Sequence, residues 1–536
     1  MKKDGIKEIL DNHPQYRETL FCRGYIVTNR VLSTGEYPFY GLWNTKSLGH
    51  LKNSGELLIH FHPWQHCCTL EQNGISIALV GHAYNPFDMK YKEDEILMDC
   101  LNAYKKGKND FFDKISELTG VHIIIINDGA ALLVVQDCSG MQSCCYGVIQ
   151  KDIYITSSPQ MIADICGLEM DPFVKKLTGK WFYRFGRQYL PGNLSPHREL
   201  KKLGANTCLE FKGEFSIKRF FPLKPHPELE PSEYKNALNS IAKLMKNNIQ
   251  LCLLKWKRPA ISVSGGMDSR TTLACANGFY DRLKCFNFHC KPSELEDTKA
   301  ATKICALAGI PLIVYPISRS NWQIKDFYLL KKIVIHNSSY TNTTPEHELR
   351  KYIYLYRKND FDVELKSWIF ETFRVMLERK YAVRFPVTLT PRHFSIFQTR
   401  YIFDSAILLK SDEYYRQYLE KINLAEPLYN YKHTDSFYWE FAYSFWGQQV
   451  VNAQNIFRHT VTMPLNNRKM LDMAFSFPKE YRKQDMVQKE IMNIANKNIG
   501  STQKIIKNPY LGYKKILLEK LYYRYAMLLS HRKCIK

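Results

Sequence analysis

The segment AISVSGGMDSRTTLA (260–274) restricts the folds open to this chain more than any other stretch. A short β-rich run ends at Ser264-Gly265-Gly266, and a helix-like run follows. Two further predicted strands, RLKCFNFHC and IPLIVYPI, flank a predicted helix, SELEDTKAATKICALAG, in which Ser293 and Glu296 have the spacing of a capping box. Strand–helix–strand–helix–strand predicts a parallel sheet with right-handed crossovers. The turn at Ser264 is therefore expected at the carboxyl edge of that sheet, where ligands bind in open α/β folds.

The turn has the residue types of an anion-binding loop. Glycine at 265 and 266 permits backbone conformations that other residues avoid and lets amide N–H groups approach a ligand. The N-terminus of the next helix adds partial positive charge. Ser264 and Ser269 add hydroxyl donors, and Asp268 would hold Mg²⁺ or cap the helix. A plain Gly-Gly turn is the alternative, but SVSGGMDS in a strand–turn–helix context favours a polyphosphate site, although it is not a Walker loop.

SVSGGMDSRTTLA resembles the pyrophosphate loop of the asparagine synthetase family, a class of N-type ATP pyrophosphatases. Members of that family cleave ATP between the α and β phosphates and adenylate a carboxylate. The resemblance implies ATP and Mg²⁺ as cofactors, with Asp268 both catalytic and a metal ligand. It also implies an acid near Asp297 beside the nucleotide. The implied ATP-binding residues are Ser264, Gly265, Gly266, Asp268, Ser269 and Asp297.

The resemblance continues near the end of the chain. RHTVTMPLNNRKMLDMAFSFPKEYR is similar to the family's R-x-P-F-L-D segment, and DMVQKEIM is similar to its K-x-x-L-R helix. This implies that Lys489 is the catalytic lysine, because a cation beside the α-phosphate offsets the charge that develops there. Taken alone, Lys489 would be interpreted as a solvated helix lysine.

Two positions depart from the family within this half. A glycine-rich S-G-E-G-x-D-E loop is expected after a strand near Asp362, but the chain reads DVELKSWIFETFRVML. Glu371 could serve there as a carboxylate for Mg²⁺ or an amine, and Arg374 could bind a substrate carboxylate or phosphate. An intrahelical Glu–Arg pair is the equal alternative. Arg270 replaces a small residue of the asparagine-forming relatives and is predicted to contact substrate.

The first half resembles the amidotransferase half of the same family through GVHIIIINDGAALLVVQDCSG and DIYITSSPQMIADI. Asn127-Asp128-Gly129 between apolar runs predicts a hairpin. That glutaminase needs an N-terminal Cys, because its α-amine takes part in the reaction. The chain begins Met1-Lys2-Lys3, and the nearest cysteine is Cys22. We therefore expect no glutamine hydrolysis.

A segment with four prolines, FPLKPHPELEPSEY, separates the two halves. The predicted divisions are a glutaminase-like domain (1–220), a linker (221–234), an ATP pyrophosphatase domain (235–500) and a basic tail (501–536). The first domain is expected to be α+β with layered, Ntn-hydrolase-like sheets. The second is expected to be α/β with a parallel sheet like that of adenine nucleotide alpha hydrolases.

The formal net charge of +23 favours anionic partners. Between Lys504 and Lys536 there are nine Lys/Arg and one acid, Glu519. This tail is predicted to be a helix that packs on the core with solvated lysines; contact with an anionic membrane surface is the alternative. No apolar run is long enough to span a bilayer and no signal core is seen, so a cytoplasmic location is expected. A homodimer is compatible with these patterns.

The predicted function is an ATP-dependent ligase that adenylates a small-molecule or sugar carboxylate and passes it to ammonia or an amine, for example in surface polysaccharide synthesis. Ring closure of a peptide or small acid, as in β-lactam or lasso-peptide cyclases, is one alternative. A nucleotide-binding scaffold without turnover is another. The amidotransferase-like first half argues against nucleic-acid modification, which shares the loop.

Overall fold

The computed structural model describes residues 3–186, 188–225, 227–424, 429, 431–501 and 509–529. Up to residue 219 the chain forms two six-stranded antiparallel sheets. The strands are β1 (Tyr25–Thr28), β2 (Asn44–Leu51), β3 (Gly55–Phe61), β4 (Cys67–Gln72), β5 (Ile75–Tyr84), β6 (Thr119–Asn127), β7 (Leu132–Gln136), β8 (Cys145–Ile149), β9 (Asp152–Thr156), β10 (Lys201–Lys202), β11 (Thr207–Phe211) and β12 (Phe215–Arg219). The helices are α1 (Lys3–Asn12), α2 (Glu93–Lys106), α3 (Lys108–Ser116), α4 (Pro159–Cys166), α5 (Pro172–Thr178) and α6 (Trp181–Gly186).

The strand orders are β10-β8-β9-β1-β3-β2 and β12-β11-β7-β6-β5-β4. Side chains alternate along each strand, so one face of each sheet can bury apolar groups against the other. Val27 and Ile59 of the first sheet share a core with Val80 and Ile125 of the second. The outer face of the second sheet packs on α2, for example through Ile96. The expected layered α+β arrangement is therefore present.

The predicted hairpin forms at Asn127-Asp128-Gly129. Strands β6 and β7 pair antiparallel, and the Asp128 N–H donates to the Ala131 carbonyl at 3.2 Å. Gly129 has φ of 81°, in the left-handed region that glycine adopts without strain. The Asn-Asp-Gly signal thus predicted the hairpin that the structure shows.

The second half contains a five-stranded, fully parallel sheet, which confirms the predicted α/β pattern at the level of the sheet. Its strands are β13 (Pro259–Ser262), β14 (Lys284–His289), β15 (Leu312–Pro316), β16 (Val363–Leu365) and β17 (Thr460–Thr462). The helices are α7 (Tyr234–Lys255), α8 (Met267–Cys275), α9 (Leu295–Leu307), α10 (Phe327–Asn337), α11 (Glu346–Tyr356), α12 (Met376–Tyr381), α13 (Pro391–Gln398), α14 (Ser405–Lys421), α15 (His433–Phe437), α16 (Ser444–Gln454), α17 (Arg468–Phe475), α18 (Lys479–Lys483), α19 (Met486–Ala495), α20 (Lys497–Gly500) and α21 (Pro509–Leu528).

The strand order β15-β14-β13-β16-β17 indicates which edge of this sheet would bind a ligand. The chain builds outward from β13 to β15, then crosses back to place β16 on the other side of β13. In such sheets ligands bind outside the carboxyl ends of the strands where the order reverses. The loops after β13 and β16 meet at that point.

The predicted capping box at Ser293 and Glu296 is wrong. A 3-10 turn (Pro292–Glu294) leads directly into α9, whose N-cap is Glu294 and has no side-chain cap. The Glu294 carboxylate instead accepts from the Cys290 N–H at 2.8 Å and pairs with Lys351 at 2.9 Å. Tertiary contacts therefore replace the local cap.

The four-proline segment lies between β12 and α7 and holds only a short 3-10 turn, Pro231–Glu233, among its described residues. Buried side chains from both sides of it, such as Leu79 and Leu471, belong to one continuous core. The domain limits drawn from the sequence remain predictions.

Helix α21 lies along α12 and α13. Three of its own side chains are buried against the core: Glu519, Tyr522 and Ala526. Residues 502–508 and 530–536 of the predicted tail lie outside the described residues. Within the described part of the chain, every helix is too short or too polar to cross a membrane.

Candidate functional site

The loop between β13 and α8 closes on itself through side-chain oxygens. The Ser264 N–H donates to Ser269 Oγ at 3.0 Å, and the Gly266 N–H donates to Ser264 Oγ at 3.2 Å. The Gly265 N–H donates to Asp297 Oδ1 at 3.2 Å. The structure thus brings Asp297 to the loop beside Ser264 and Ser269, and their contact with a nucleotide stays a prediction. Each of these oxygens accepts a hydrogen bond from a backbone N–H group that could otherwise bind an anion.

The start of α8 leaves its own amides available. Its N-cap is Gly266, which supplies no side-chain acceptor. The first N–H groups of a helix lack partners within the helix and attract anions. The reason for glycine at 266 differs from the one predicted, because its φ is −72° and its conformation is extended. Glycine instead keeps the exposed loop edge free of a side chain; a Cβ there would meet only Ser264 Oγ, at 3.1 Å.

Asp268, in the first turn of α8, is bound by two side chains from other elements. Arg374 Nη1 donates to Asp268 Oδ1 at 3.0 Å, and Gln488 Nε2 donates to the same oxygen at 2.7 Å. Burial raises the pKa of Asp268; Arg374 and Gln488 oppose this rise, while the nearby carboxylates of Glu371 and Asp485 add to it. A bound cation would therefore stabilise the charged form of Asp268.

Arg374 connects the two loops of the sheet edge. It donates to Asp268 and also, through Nε, to Asp485 Oδ1 at 2.7 Å. Burial alone would lower the pKa of Arg374, but these two carboxylates outweigh it and raise the pKa. Its partners are therefore Asp268 and Asp485, not the intrahelical Glu371 that formed the alternative. The prediction that this stretch joins the site gains support from that placement.

Glu371 lies in a 3-10 turn, Phe370–Phe373, and accepts from the Tyr438 hydroxyl at 3.1 Å. Tyr438 begins a π-helical turn, Tyr438–Tyr443, a feature often found at functional sites. Burial, followed by the charge of Glu371, raises the pKa of Tyr438 well above its usual range. The hydroxyl therefore stays protonated and fixes the Glu371 carboxylate.

Two predicted residues, Lys489 and Arg270, contact other parts of the chain. Lys489 is exposed on α19, and its ammonium donates to the Gln484 carbonyl at 3.0 Å. The preceding residue, Gln488, is the one that reaches Asp268. Arg270 is buried, and one of its contacts is to the Gly266 carbonyl at 3.3 Å, so it supports the loop from below. The roles that the resemblance implied for Lys489 and Arg270 stay predictions.

A cavity of about 360 Å³ opens beside the loop, within the ~300–1,000 Å³ usual for small-molecule pockets. Ser262, at the end of β13, and Lys366, just after β16, both line it. The Trp368 and Trp446 rings face it 5.1 Å apart, and Lys366 Nζ lies 5.2 Å from the centre of Trp368. This cavity combines flat apolar walls with charged groups at the ligand-binding edge of the sheet.

Lys366 is itself held by Glu364, at 2.9 Å. Burial would raise the pKa of Glu364, but Lys366 and His459 outweigh burial and hold it at about 2. Glu364 is therefore charged at neutral pH and holds the Lys366 ammonium near the carboxyl end of β16. No sequence signal identifies this pair, because Glu364 and Lys366 belong to the stretch that departs from the family's glycine-rich loop.

The described residues fit a polyphosphate with Mg²⁺. The uncapped start of α8 and the Arg374 guanidinium suit phosphate oxygens, and Asp268 and Glu371 supply the carboxylate oxygens that Mg²⁺ takes. Three residues of this arrangement, Asp485, Gln488 and Tyr438, were missed in the sequence. Asp485 and Gln488 lie in the DMVQKEIM stretch, where the resemblance pointed to Lys489 instead, and Tyr438 lies in a separate segment, so only the folded chain shows that they meet.

Cys22 is buried in the first half, and burial raises its thiol pKa to about 12. Helix α1 and a 3-10 turn, Pro14–Thr19, precede it. A cysteine nucleophile must be accessible and ionised. In this environment the Cys22 thiol is neither at neutral pH. Every cysteine that the structure describes is free.

Two solved structures are weakly similar to this chain. No family model matches the sequence, and no curated protein matches it. The allosteric regulatory enzyme of purine biosynthesis is similar in structure with a TM-score of 0.25 and 9% identity, over 55% of this chain and 80% of its own. A glutamine phosphoribosylpyrophosphate amidotransferase from B. subtilis, complexed with ADP and GMP, gives a TM-score of 0.22 and 12% identity over 58% of this chain and 62% of its own. These values do not establish a shared fold or a family.

Proposed function

We propose that this chain is an ATP-dependent carbon–nitrogen ligase with its active site at the β13–α8 loop. A substrate carboxylate would attack the α-phosphate of ATP and release pyrophosphate. Ammonia or an amine would then displace AMP from the activated carboxylate and form an amide. The observation that carries the proposal is the contact of Asp268 with Arg374 where the strand order reverses.

Different groups of the site would bind phosphate, bind Mg²⁺ and position the binding residues. The α8 amides and Arg374 would hold phosphate oxygens where negative charge increases during reaction. Asp268 would take Mg²⁺, with Glu371 as a second carboxylate held by Tyr438. Gln488 and Asp485 would position Asp268 and Arg374. The cavity beside Trp368 would enclose the organic part of a ligand and exclude water.

Exchange of radioactive pyrophosphate into ATP tests this directly, because exchange requires reversible adenylation. We expect exchange with at least one member of a panel of small carboxylic acids and sugar acids. Asp268→Ala should reduce that exchange by about a hundredfold or more, since electrostatic stabilisation of this kind is worth ~2.7–4 kcal/mol. Asp281→Ala, an exposed aspartate just beyond α8, is the matched control and should exchange normally.

Two outcomes would contradict the proposal. One is exchange by Asp268→Ala at the wild-type rate. The other is the lack of exchange with any acid while ATP still binds, which would leave a nucleotide-binding scaffold. Substrates that yield a cyclic amide would identify the ring-closing variant of the same chemistry.

A further inference from the structure

Helix α21 is apolar on both of its faces. Its inner face buries Tyr522 and Ala526 against the core. Its outer face carries Leu517, Leu521 and Tyr525, spaced four residues apart and so aligned along the helix. Leu521 remains 55% exposed. An apolar stripe on the exposed side of a helix normally packs against another apolar surface, so the outer face calls for an occupant.

The exposed apolar surface extends beyond α21 to a distant part of the sequence. Phe403 lies 6.0 Å from Tyr525 between ring centres and stacks on Trp181, at 5.7 Å. Trp181 and Phe185, both on α6, are 65% and 61% exposed. Soluble monomers rarely expose connected apolar patches of this kind unless the patch is used. We call this surface the aromatic face; its residues are Trp181, Phe185, Phe403, Leu517, Leu521 and Tyr525.

The charged side chains that point outward around the aromatic face are basic. Lys515 and Arg524 are exposed on α21, and Arg184 is exposed on α6. The one acid of α21, Glu519, is 1% exposed and points inward to Lys380 and Arg400, at 3.7 and 3.5 Å. Asp404, beside Phe403, is held by Lys180 at 3.2 Å. The outward side of this surface therefore combines apolar rings with basic groups.

We propose that the aromatic face docks on an anionic lipid bilayer. Trp and Tyr prefer the membrane–water interface, Leu side chains enter the acyl boundary, and Lys and Arg attract anionic headgroups. A second copy of this chain would bring like charges together in a symmetric contact, which is unfavourable. Nucleic acid would leave Leu517 and Leu521 without apolar partners. A bilayer with negative headgroups matches both the apolar and the basic parts.

The test is co-sedimentation of the full chain with phospholipid vesicles. We expect binding to phosphatidylcholine vesicles that contain phosphatidylglycerol, weaker binding to phosphatidylcholine alone, and weakening by high salt because screening reduces the electrostatic part. Trp181→Ser and Leu521→Ser should each weaken binding to the anionic vesicles by about tenfold. Trp322→Ser, which removes a 78% exposed tryptophan elsewhere, should bind as the wild type does.

Failure of the wild type to bind anionic vesicles would overturn the proposal. So would unchanged binding of both Trp181→Ser and Leu521→Ser, or equal loss in Trp322→Ser. Concentration-dependent self-association that Leu521→Ser abolishes, without lipid binding, would show instead that the face joins two copies. Circular dichroism of each variant separates loss of binding from loss of folding. None of these readouts depends on the proposed ligase activity.

Discussion

At the scale of single residues, the site is a balance of charge around Arg374. One guanidinium serves Asp268 and Asp485, and Arg379 also pairs with Asp485 at 2.8 Å. Burial would raise the pKa of Asp485, but Arg374 and Arg379 outweigh it and lower the pKa. Asp485 therefore stays charged and orders Arg374 before any ligand arrives. Such preorganisation is what an electrostatic site requires.

Asp485→Asn should lower stability in a pH-dependent way. Asp485 has φ of 61°, a conformation that Asn tolerates, so the backbone is preserved. A carboxylate with a lowered pKa in the folded state contributes stability above its unfolded pKa, near 3.9, and loses it as pH falls further. We expect a loss of about 1.5–3 kcal/mol at neutral pH, the usual value of hydrogen bonds to charged groups.

Urea unfolding of the wild type and of Asp485→Asn between about pH 7 and pH 3 measures this effect. The difference between the two should be constant down to about pH 5 and shrink below pH 4. A difference that does not change with pH would mean that the ion pair contributes nothing. Asp281→Asn, an exposed position, should differ little from the wild type at any pH.

At the scale of secondary-structure elements, the site is built from the starts of α8 and α19. These two helices pack against each other, so the side chain that α19 presents to α8 decides what reaches Asp268. Gln488 is fully buried in that contact, whereas Lys489 is turned to solvent. Successive helix residues are about 100° apart, so both cannot face the same neighbour.

The neighbouring variants Gln488→Ala and Lys489→Ala test this orientation in the pyrophosphate exchange assay. Gln488→Ala removes a 2.7 Å hydrogen bond to the Asp268 carboxylate and should slow exchange by about tenfold. Lys489→Ala should stay within about twofold of the wild type, since solvated lysines contribute little. Abolished exchange in Lys489→Ala alone would support the catalytic role that the sequence resemblance implied.

At the scale of the whole molecule, the two halves are joined by buried polar groups. Asn466 Nδ2 donates to Asp137 Oδ1 at 2.9 Å, and Asn466 Oδ1 accepts from the Ser139 N–H at 3.0 Å. Arg468 donates to the Gln136 and Asp137 carbonyls, each at 2.9 Å. Buried groups of this kind are costly to separate, so the halves are expected to move as one body.

Asn466→Ala should loosen this junction. The change removes the Asn466 hydrogen bonds to the Ser139 N–H and the Gly120 carbonyl, each worth about 0.5–1.5 kcal/mol, while the Ser139 N–H keeps Asp137 Oδ1 at 3.2 Å. Hydrogen exchange followed by mass spectrometry should show faster exchange in the peptide spanning residues 136–142 than in the wild type. Asn498→Ala, at an exposed site in α20, is the control. Equal protection in Asn466→Ala and wild type would contradict a role for this contact.

Local sequence signals alone determined several parts of the fold. The strand–turn–helix at Ser264, the Asn-Asp-Gly hairpin and the parallel order of β13, β14 and β15 depend on periodicity and turn residues, which act over a few neighbours. These signals also indicated which edge of the sheet would carry the site. They could not show which face of α19 turns inward, because amphipathic spacing is shared by Gln488 and its neighbours.

Only the tertiary structure decided the partners of Asp268 and the position of the aromatic face. Asp268, Arg374 and Gln488 are more than a hundred residues apart, as the separations of 106 and 220 positions show. Trp181 and Tyr525 likewise meet at Phe403 from three separate segments. Contacts over such separations follow from how whole elements pack, and no short stretch of sequence records them. The sequence determined the loop; packing determined what surrounds it.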